Sequence, residues 1–414
     1  MCNRLKRLTK EVIKIRWLFA SLALVLGTRV DIARAAELVP SPGRVFASSE
    51  QIPLLEYPEG IIAGNERVYV STYNTPNPQD TRIFVFNYQG QLLNTLGDSP
   101  DEQKFFSRAK FGGLLGLALD PKTDDLFAAA NALGDILRIQ NPNTPNPQIS
   151  VYSTYPSSGG PEALAFNQFG TLYASDSNLG VVYTIPPGGG KPQPIIGPSG
   201  SDALINDEGL FQSPVLGLSP NGIAFSRDYK TLYVANTFAD RVIAFDVNDQ
   251  GEVTGNPRIF AEFPNDDLEV FPTGFEGLIQ PDTQVGSSAS TPLNGPDGLS
   301  IDNQGRIWAP SVFGDNLTIL SPEGKVEAIY RSSAVTANGL LNAPTNVTFV
   351  GDQTLVTNLG LFTGLAGENR PFTVVSFDTN VSTMTVPEPN CVLEVLMLGA
   401  LGAVSVLKRG CGQK

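Results

Sequence analysis

Residues 219–247, SPNGIAFSRDYKTLYVANTFADRVIAFDV, decide the fold. They read as three strands in succession. Residues 222–225 are a short apolar run and 227–230 a polar turn. Residues 231–235 are rich in side chains that suit a pleated surface, and 241–245 alternate apolar and polar positions. Strands this short cannot bury themselves, so the unit needs copies beside it.

The copies are present. The first opens at Pro58-Glu59-Gly60 and continues through 67–71 and 82–86; the second opens at 114–119, followed by 125–129 and 135–139. The third runs 161–166, 171–175 and 181–185, and the stretch quoted above is the fourth. The fifth opens at Pro296-Asp297-Gly298-Leu299, with 306–310 and 316–320 after it. The sixth opens at Pro344-Thr345-Asn346-Val347, with 353–357 and 372–377 after it. Six copies about 45 to 75 residues apart, each of three or four strands, predict an all-β, six-bladed β-propeller over residues 36–382. Each blade buries its faces only against its neighbours, so the ring must close. Residues 36–57 are expected to add the outer strand of the last blade. Two intervals, about 198–218 and 264–295, are rich in Gly, Pro, Ser and Asp and read as inserted loops.

Composition narrows the chemistry. With 41 glycines, 32 prolines and 41% hydrophobic residues, the chain suits many short strands and tight turns. A formal net charge of −13 argues against nucleic acid as a partner. The absence of histidine excludes a Ser-His-Asp triad, a Cys-His pair and His-ligated zinc. Cys2, Cys391 and Cys411 all lie near the ends, so no disulfide is expected in the body. Carboxylates, amides, hydroxyls or a hard metal must supply any reactivity.

Aligned on the residue after the opening proline or its equivalent, the six copies present Glu59, Leu115, Glu162, Asn221, Asp297 and Thr345. In a propeller these first positions of the innermost strands surround the mouth of the central channel. Like charges gathered there are unfavourable unless a cation or proton neutralises them. An all-oxygen set of carboxylates, amide and water suits Ca²⁺ first; Mg²⁺, Mn²⁺ and Zn²⁺ are the alternatives. Glu162, Thr345 and the second-strand end Asn236 are candidate substrate-pocket residues, and Asp176 and Asn358 occupy ends like that of Asn236. The runs Asn206-Asp207-Glu208 and Asn265-Asp266-Asp267 are either solvated loops or a lid, and Trp308 is expected in the core. PNG and PDG are also common turn sequences.

Copies four and five, with the PEG at residues 58–60, resemble the senescence-marker/regucalcin/gluconolactonase family. The similarity spans most of residues 50–380. It implies one divalent cation held by Glu59, Asn221 and Asp297, with Asp297 doubling as the catalytic base. It further implies hydrolysis of sugar lactones and related esters. The Arg-x-Asn-Asp-Gly segment that contributes to the sugar pocket in that family is replaced here by Gly160-Pro161-Glu162-Ala163. Two functions are therefore weighed. One is a divalent-metal-dependent lactone or ester hydrolase. The other is a non-catalytic cell-surface or matrix scaffold, binding a surface polymer, with a structural metal.

Both ends read as addresses. Residues 1–35 carry a basic start, an apolar run at 17–26 and Ala33-Arg34-Ala35, the form of an export signal. Residues 383–414 place Val386-Pro387-Glu388-Pro389 before an apolar run, interrupted by Glu394, that ends at Lys408-Arg409. This tail resembles the PEP-CTERM sorting segment of bacteria. The resemblance implies an exosortase-type partner, a membrane-spanning helix, transient anchoring at the inner membrane, and a final place at the cell surface or outside.

Overall fold

A computed structural model describes residues 36–37, 43–64, 66–73, 78–106, 113–156, 159–207, 220–263, 294–331, 340–360 and 371–378. The chain divides into a unit Met1–Ala36 and a unit Glu37–Lys414 that holds the fold. The segments expected to be an export signal (1–35) and a sorting tail (383–414), the three cysteines and the acidic run at 265–267 lie outside the described residues. Among the described residues no helix is long and apolar enough to cross a membrane, and one short α-helix, Pro100–Phe106, stands between the first two blades.

Six sheets, antiparallel apart from one short parallel strand added to blade three, make a six-bladed propeller. Blade one is Pro58–Gly64, Arg67–Thr72, Ile83–Asn87 and Leu92–Leu96; blade two is Leu117–Leu119, Leu126–Ala130, Asp135–Gln140 and Gln148–Thr154. Blade three comprises Pro161–Phe166, Leu172–Asp176, Val181–Ile185 and Gln193–Gly197. Blade four comprises Ile223–Phe225, Thr231–Asn236, Arg241–Val247 and Val253–Glu262. Blade five contains Ser300–Ile301, Ile307–Ser311, Asn316–Leu320 and Val326–Arg331. Blade six contains Pro344–Val350, Gln353–Asn358 and Thr373–Asp378, and its outer strand is Arg44–Ser48. That strand comes from before blade one and pairs antiparallel with Thr373–Asp378, Arg44 opposite Ser376. The ring is thus closed by the segment expected to close it.

Closure is also apolar. One buried cluster fills each of the six seams between blades. The seam between blades six and one gathers Ala47, Leu55, Ile61, Val68, Phe84, Leu355 and Val374, and the seam between five and six is built on Trp308, Leu317, Val347 and Phe377. Each fully buried side chain of this size contributes about 1.5–3 kcal/mol by leaving water. Trp308 is core, as expected, with its indole N–H donating to Asp302 Oδ2 at 2.9 Å.

At the channel mouth the seams are tied by backbone. Gly116 N–H donates to Glu162 O at 2.8 Å, Gly222 N–H to Asp297 O at 3.0 Å, and Gly298 N–H to Thr345 O at 2.7 Å. The Thr345 and Thr357 hydroxyls both donate to Glu59 O, at 3.0 and 2.7 Å, and the Ser71 hydroxyl donates to Leu115 O at 2.7 Å. Two expected strands start late beside these bonds. Blade two's regular inner ladder begins at Leu117 rather than residue 114: the Leu114 and Gly116 N–H groups go to Thr72 O of blade one and Glu162 O of blade three, while Leu115 N–H still pairs within the blade with Ala129 O. Blade five's begins at Ser300: the Gly298 N–H goes across the seam to Thr345 O, while Asp297 N–H pairs within the blade with Pro310 O.

The glycines of PEG, PNG and PDG serve this approach and are not turn glycines. Gly60, Gly222 and Gly298 have no positive φ. A Cβ on Gly60 would stand 2.3 Å from Leu115 O, on Gly222 2.2 Å from Asp297 O, and on Gly298 2.7 Å from Thr345 O. Each of these contacts is with backbone that cannot move aside without opening the seam. Gly222→Ala is therefore expected to destabilise the fold by about 1–3 kcal/mol through overpacking. Ala163→Gly, at the aligned position of blade three, should cost no more than about 1 kcal/mol. Thermal and denaturant melts of the two variants check this ordering.

Candidate metal centre

The residue after each first position is held by its N–H, Gly116, Gly222 and Gly298 to the next blade and Gly60, Ala163 and Asn346 to a hydroxyl of their own second strand. Glu59, Glu162, Asn221 and Asp297 are all buried, at 6%, 8%, 6% and 7% exposure. Burial pushes the Glu59 carboxyl well above the usual carboxylate range; the neighbouring charges of Asp297 and Glu162 push it further, against an opposing effect of Thr345. Asp297 is likewise raised by burial and then by Glu162, while a hydrogen bond from the Asn221 side-chain amide works the other way. Three carboxyls from blades one, three and five thus sense each other at one place, and Asn221 of blade four touches one of them directly. Glu59 Oε2 has no hydrogen-bond partner although it is buried.

Glu162 is built differently. Its Oε2 accepts from Ser177 Oγ at 2.7 Å and from Asn131 Nδ2 at 3.4 Å. Burial raises it to about 7, Ser177 pulling it down and Asp176 pushing it up. Beside it stands Tyr73, whose phenol burial raises to about 12, with Glu162 and Glu59 adding to the shift.

Two of the three pocket candidates are committed to the framework. Thr345 is fully buried and its hydroxyl clasps Glu59 O. Asn236 caps the turn Thr237–Ala239, its side-chain oxygen accepting from Ala239 N at 3.1 Å. Asp176 accepts from the N–H groups of Gly160, Asn178 and Leu179 at 3.2, 3.0 and 3.0 Å. Asn358 accepts from Asn342 N at 3.1 Å and donates to Leu340 O at 2.7 Å. The second-strand ends therefore shape the channel-side loops from within. Asn206 of the acidic run lies in Ile205–Asn206, a parallel strand added beside Gln193–Gly197 at the outer edge of blade three.

Sequence reading missed Ser177, Asn131 and Tyr73, and it missed a set of hydroxyls. Blades one, three and six carry a bulge near the start of the inner strand. In each, the N–H displaced by the bulge is received by a hydroxyl on the second strand. Gly60 N donates to Ser71 Oγ at 2.9 Å, Ala163 N to Ser175 Oγ at 3.0 Å and Asn346 N to Thr357 Oγ1 at 3.1 Å. The aligned positions of the other blades are Ala129, Ala235 and Pro310, so a hydroxyl at three of the six was a readable signal.

The donor set fits a hard divalent cation in kind: two buried carboxylates that disfavour each other's charge, one orphaned carboxylate oxygen, and the side-chain amide that hydrogen-bonds Asp297. Among the described residues no three His, Cys, Asp or Glu side chains are gathered as a metal cluster.

With this geometry in hand, one comparison bears on the centre. Residues 216–357 match the family model described as SMP-30/Gluconolactonase/LRE-like region. The SMP-30/gluconolactonase-like segment contains Asn221, Asn236, Asp297 and Thr345; Glu59 and Glu162 lie outside it. No curated protein matches the chain. Among solved structures, a calcium-binding protein, regucalcin, from Agrobacterium tumefaciens superposes with a TM-score of 0.53 at 16% identity, covering 84% of this chain and 97% of that one. A putative gluconolactonase superposes with a TM-score of 0.51 at 18% identity, over 84% and 98%. A luciferin-regenerating enzyme superposes with a TM-score of 0.52 at 14% identity, over 79% and 93%. At these identities the likeness establishes the fold alone.

The buried carboxyls set a sign for pH. Unfolded Asp and Glu titrate near 4, whereas Asp176 and Glu162 titrate at about 6 and about 7 in the fold. A raised carboxyl contributes stability that is fully present below the unfolded value and lost as pH rises through the folded one. Without added divalent cation, these groups are expected to lower the melting temperature between about pH 4 and pH 7. Glu59→Gln should raise the cation-free melting temperature at neutral pH and remove the stabilisation by added Ca²⁺. Differential scanning fluorimetry across pH, with and without Ca²⁺, measures both.

Proposed function

We propose that the chain is a divalent-cation-dependent hydrolase of a lactone or related ester. The observation that carries this reading is the convergence of Glu59, Asn221 and Asp297 from three separate blades, with Glu59 Oε2 unpartnered. The SMP-30/gluconolactonase-like match over two of these residues supports it. Glu59, Asn221 and Asp297 would hold the cation, Ca²⁺ first and Mg²⁺, Mn²⁺ or Zn²⁺ after it. When bound, the cation supplies a Lewis acid that polarises a substrate carbonyl. The chain's residues do the rest. The buried walls around Glu59 and Asp297 keep bulk water away from the reacting carbonyl, the Asn221 amide orients the Asp297 carboxylate, and Asp297 is the base that the family resemblance implies.

The replacement of the sugar-reading segment by Gly160-Pro161-Glu162-Ala163 turns the proposal away from a polyhydroxylated substrate and toward lactones or esters as a class. The second reading is a non-catalytic surface or matrix scaffold in which the cation ties blades one, four and five together. It is favoured by the structural use of Thr345 and Asn236, which removes two substrate contacts from the channel. For residues 1–35 and 383–414, export with transient anchoring at the inner membrane remains the proposal that their sequence supports.

A panel of aliphatic, aryl and sugar lactones and esters, assayed with each of the four cations beside Asp297→Ala, separates the two. Cation-dependent turnover that falls by about a hundredfold or more in Asp297→Ala supports the hydrolase. A cation-raised melting temperature without turnover of any member supports the scaffold.

A further inference from the structure

Glu162 is the channel carboxylate that the cation reading leaves without a task. It occupies the same ring position as Glu59 and Asp297, but its surroundings are those of an oriented group rather than an orphan. Ser177 is 2% exposed and donates to Oε2 at 2.7 Å; Asn131 Nδ2 approaches the same oxygen at 3.4 Å. The Glu162 carbonyl is fixed by Gly116 N–H at 2.8 Å, so both ends of the residue are held.

The other titratable groups around it are excluded one by one. Asp176 spends its two oxygens on the N–H groups of Gly160, Asn178 and Leu179. Tyr73 keeps its proton at any ordinary pH. Asp297 is bound by Asn221 and, with Glu59, belongs to the proposed cation set. The chain has no histidine.

We infer that Glu162, oriented by Ser177 and Asn131, takes the proton from the water that attacks the substrate carbonyl. The inference rests on the hydrolase reading and moves the base from Asp297 to Glu162. The water oxygen adds to the carbonyl carbon while one of its protons passes to Glu162. The ring or ester C–O bond then breaks, its electron pair stays on the departing oxygen, and the Glu162 proton goes to that oxygen. Lactone plus water gives the hydroxy acid, and the Glu162 carboxylate is restored. A carboxylate fixed by a hydroxyl and an amide N–H on one oxygen leaves its other oxygen to take the proton and hand it on. Ser177 and Asn131 are positioning residues.

The test compares the wild-type full chain with Glu162→Gln, Glu162→Asp and Ser177→Ala. It uses Ca²⁺-induced melting shifts, turnover of the lactone and ester panel, and pH profiles of kcat. Glu162→Gln is expected to keep the Ca²⁺-induced shift, with the Kd within about twofold of wild type, and to lose kcat by about 10²–10⁴-fold. Glu162→Asp should recover part of the loss. Ser177→Ala should move the acid limb of kcat to higher pH, because the lost donor favoured the ionised carboxylate.

Wild-type turnover with Glu162→Gln equally active would overturn the inference and leave the hydrolase reading standing. Parallel loss of Ca²⁺ binding in Glu162→Gln would overturn it as well, by making Glu162 a ligand. A wild type that binds Ca²⁺ and turns over nothing ends the hydrolase reading itself, and this inference with it.

Discussion

At the channel mouth, one backbone carbonyl in each of five seams does most of the organising. Glu59, Leu115, Glu162, Asp297 and Thr345 each give their carbonyl to a donor on the preceding blade. The same residues carry the side chains that fill the ring. A buried backbone carbonyl needs a partner, so the position is fixed by the fold, while its side chain is left free to vary among Glu, Leu, Asp and Thr. The residue that follows has the opposite freedom. Where it donates to the next blade or packs under that blade's carbonyl, a Cβ would collide, and glycine stands at 60, 116, 222 and 298. The sequence motif P-x-G is thus a record of inter-blade approach, with chemistry at x and sterics at G.

Much of the architecture was legible because it rests on local pattern. The six copies, the second and third strands of each, and the return of the segment before blade one to close the last blade follow from short apolar runs between polar turns. The convergence of Glu59, Glu162 and Asp297 followed from counting copies in phase. What escaped depends on who meets whom across a seam. Thr345 and Asn236 looked like pocket residues because threonine and asparagine at a channel end have spare polar atoms. The structure spends Thr345 on Glu59 O, a residue 286 positions away, and Asn236 on the turn just after it. The bulge hydroxyls Ser71, Ser175 and Thr357 were visible against Ala129, Ala235 and Pro310 at the aligned positions, but their purpose appears only once the displaced N–H groups of the bulged strands are known.

The carboxyls at the ring show how one position supports two environments. Burying Glu59, Glu162 and Asp297 in the fold disfavours their ionised forms. Two means of relief are open, a proton or a cation. Glu59, with an oxygen left bare, and Asp297, touched only by an amide, are relieved best by an ion that brings charge and accepts several oxygens at once.

Glu162 stands apart because its relief is already partly built. A hydroxyl and an amide N–H converge on one oxygen and favour the ionised form, against burial and against Asp176, leaving the carboxyl poised close to neutrality. Titratable groups whose surroundings push them apart are the usual basis for dividing labour in a site. On that logic the donors supplied by Ser177 and Asn131 matter more than the carboxylate's place in the ring: move them to Glu59 and the roles of the two glutamates would exchange. The asymmetry between blades one and three, written at residues 131 and 177 rather than at the ring itself, sets the two glutamates of one ring in different surroundings.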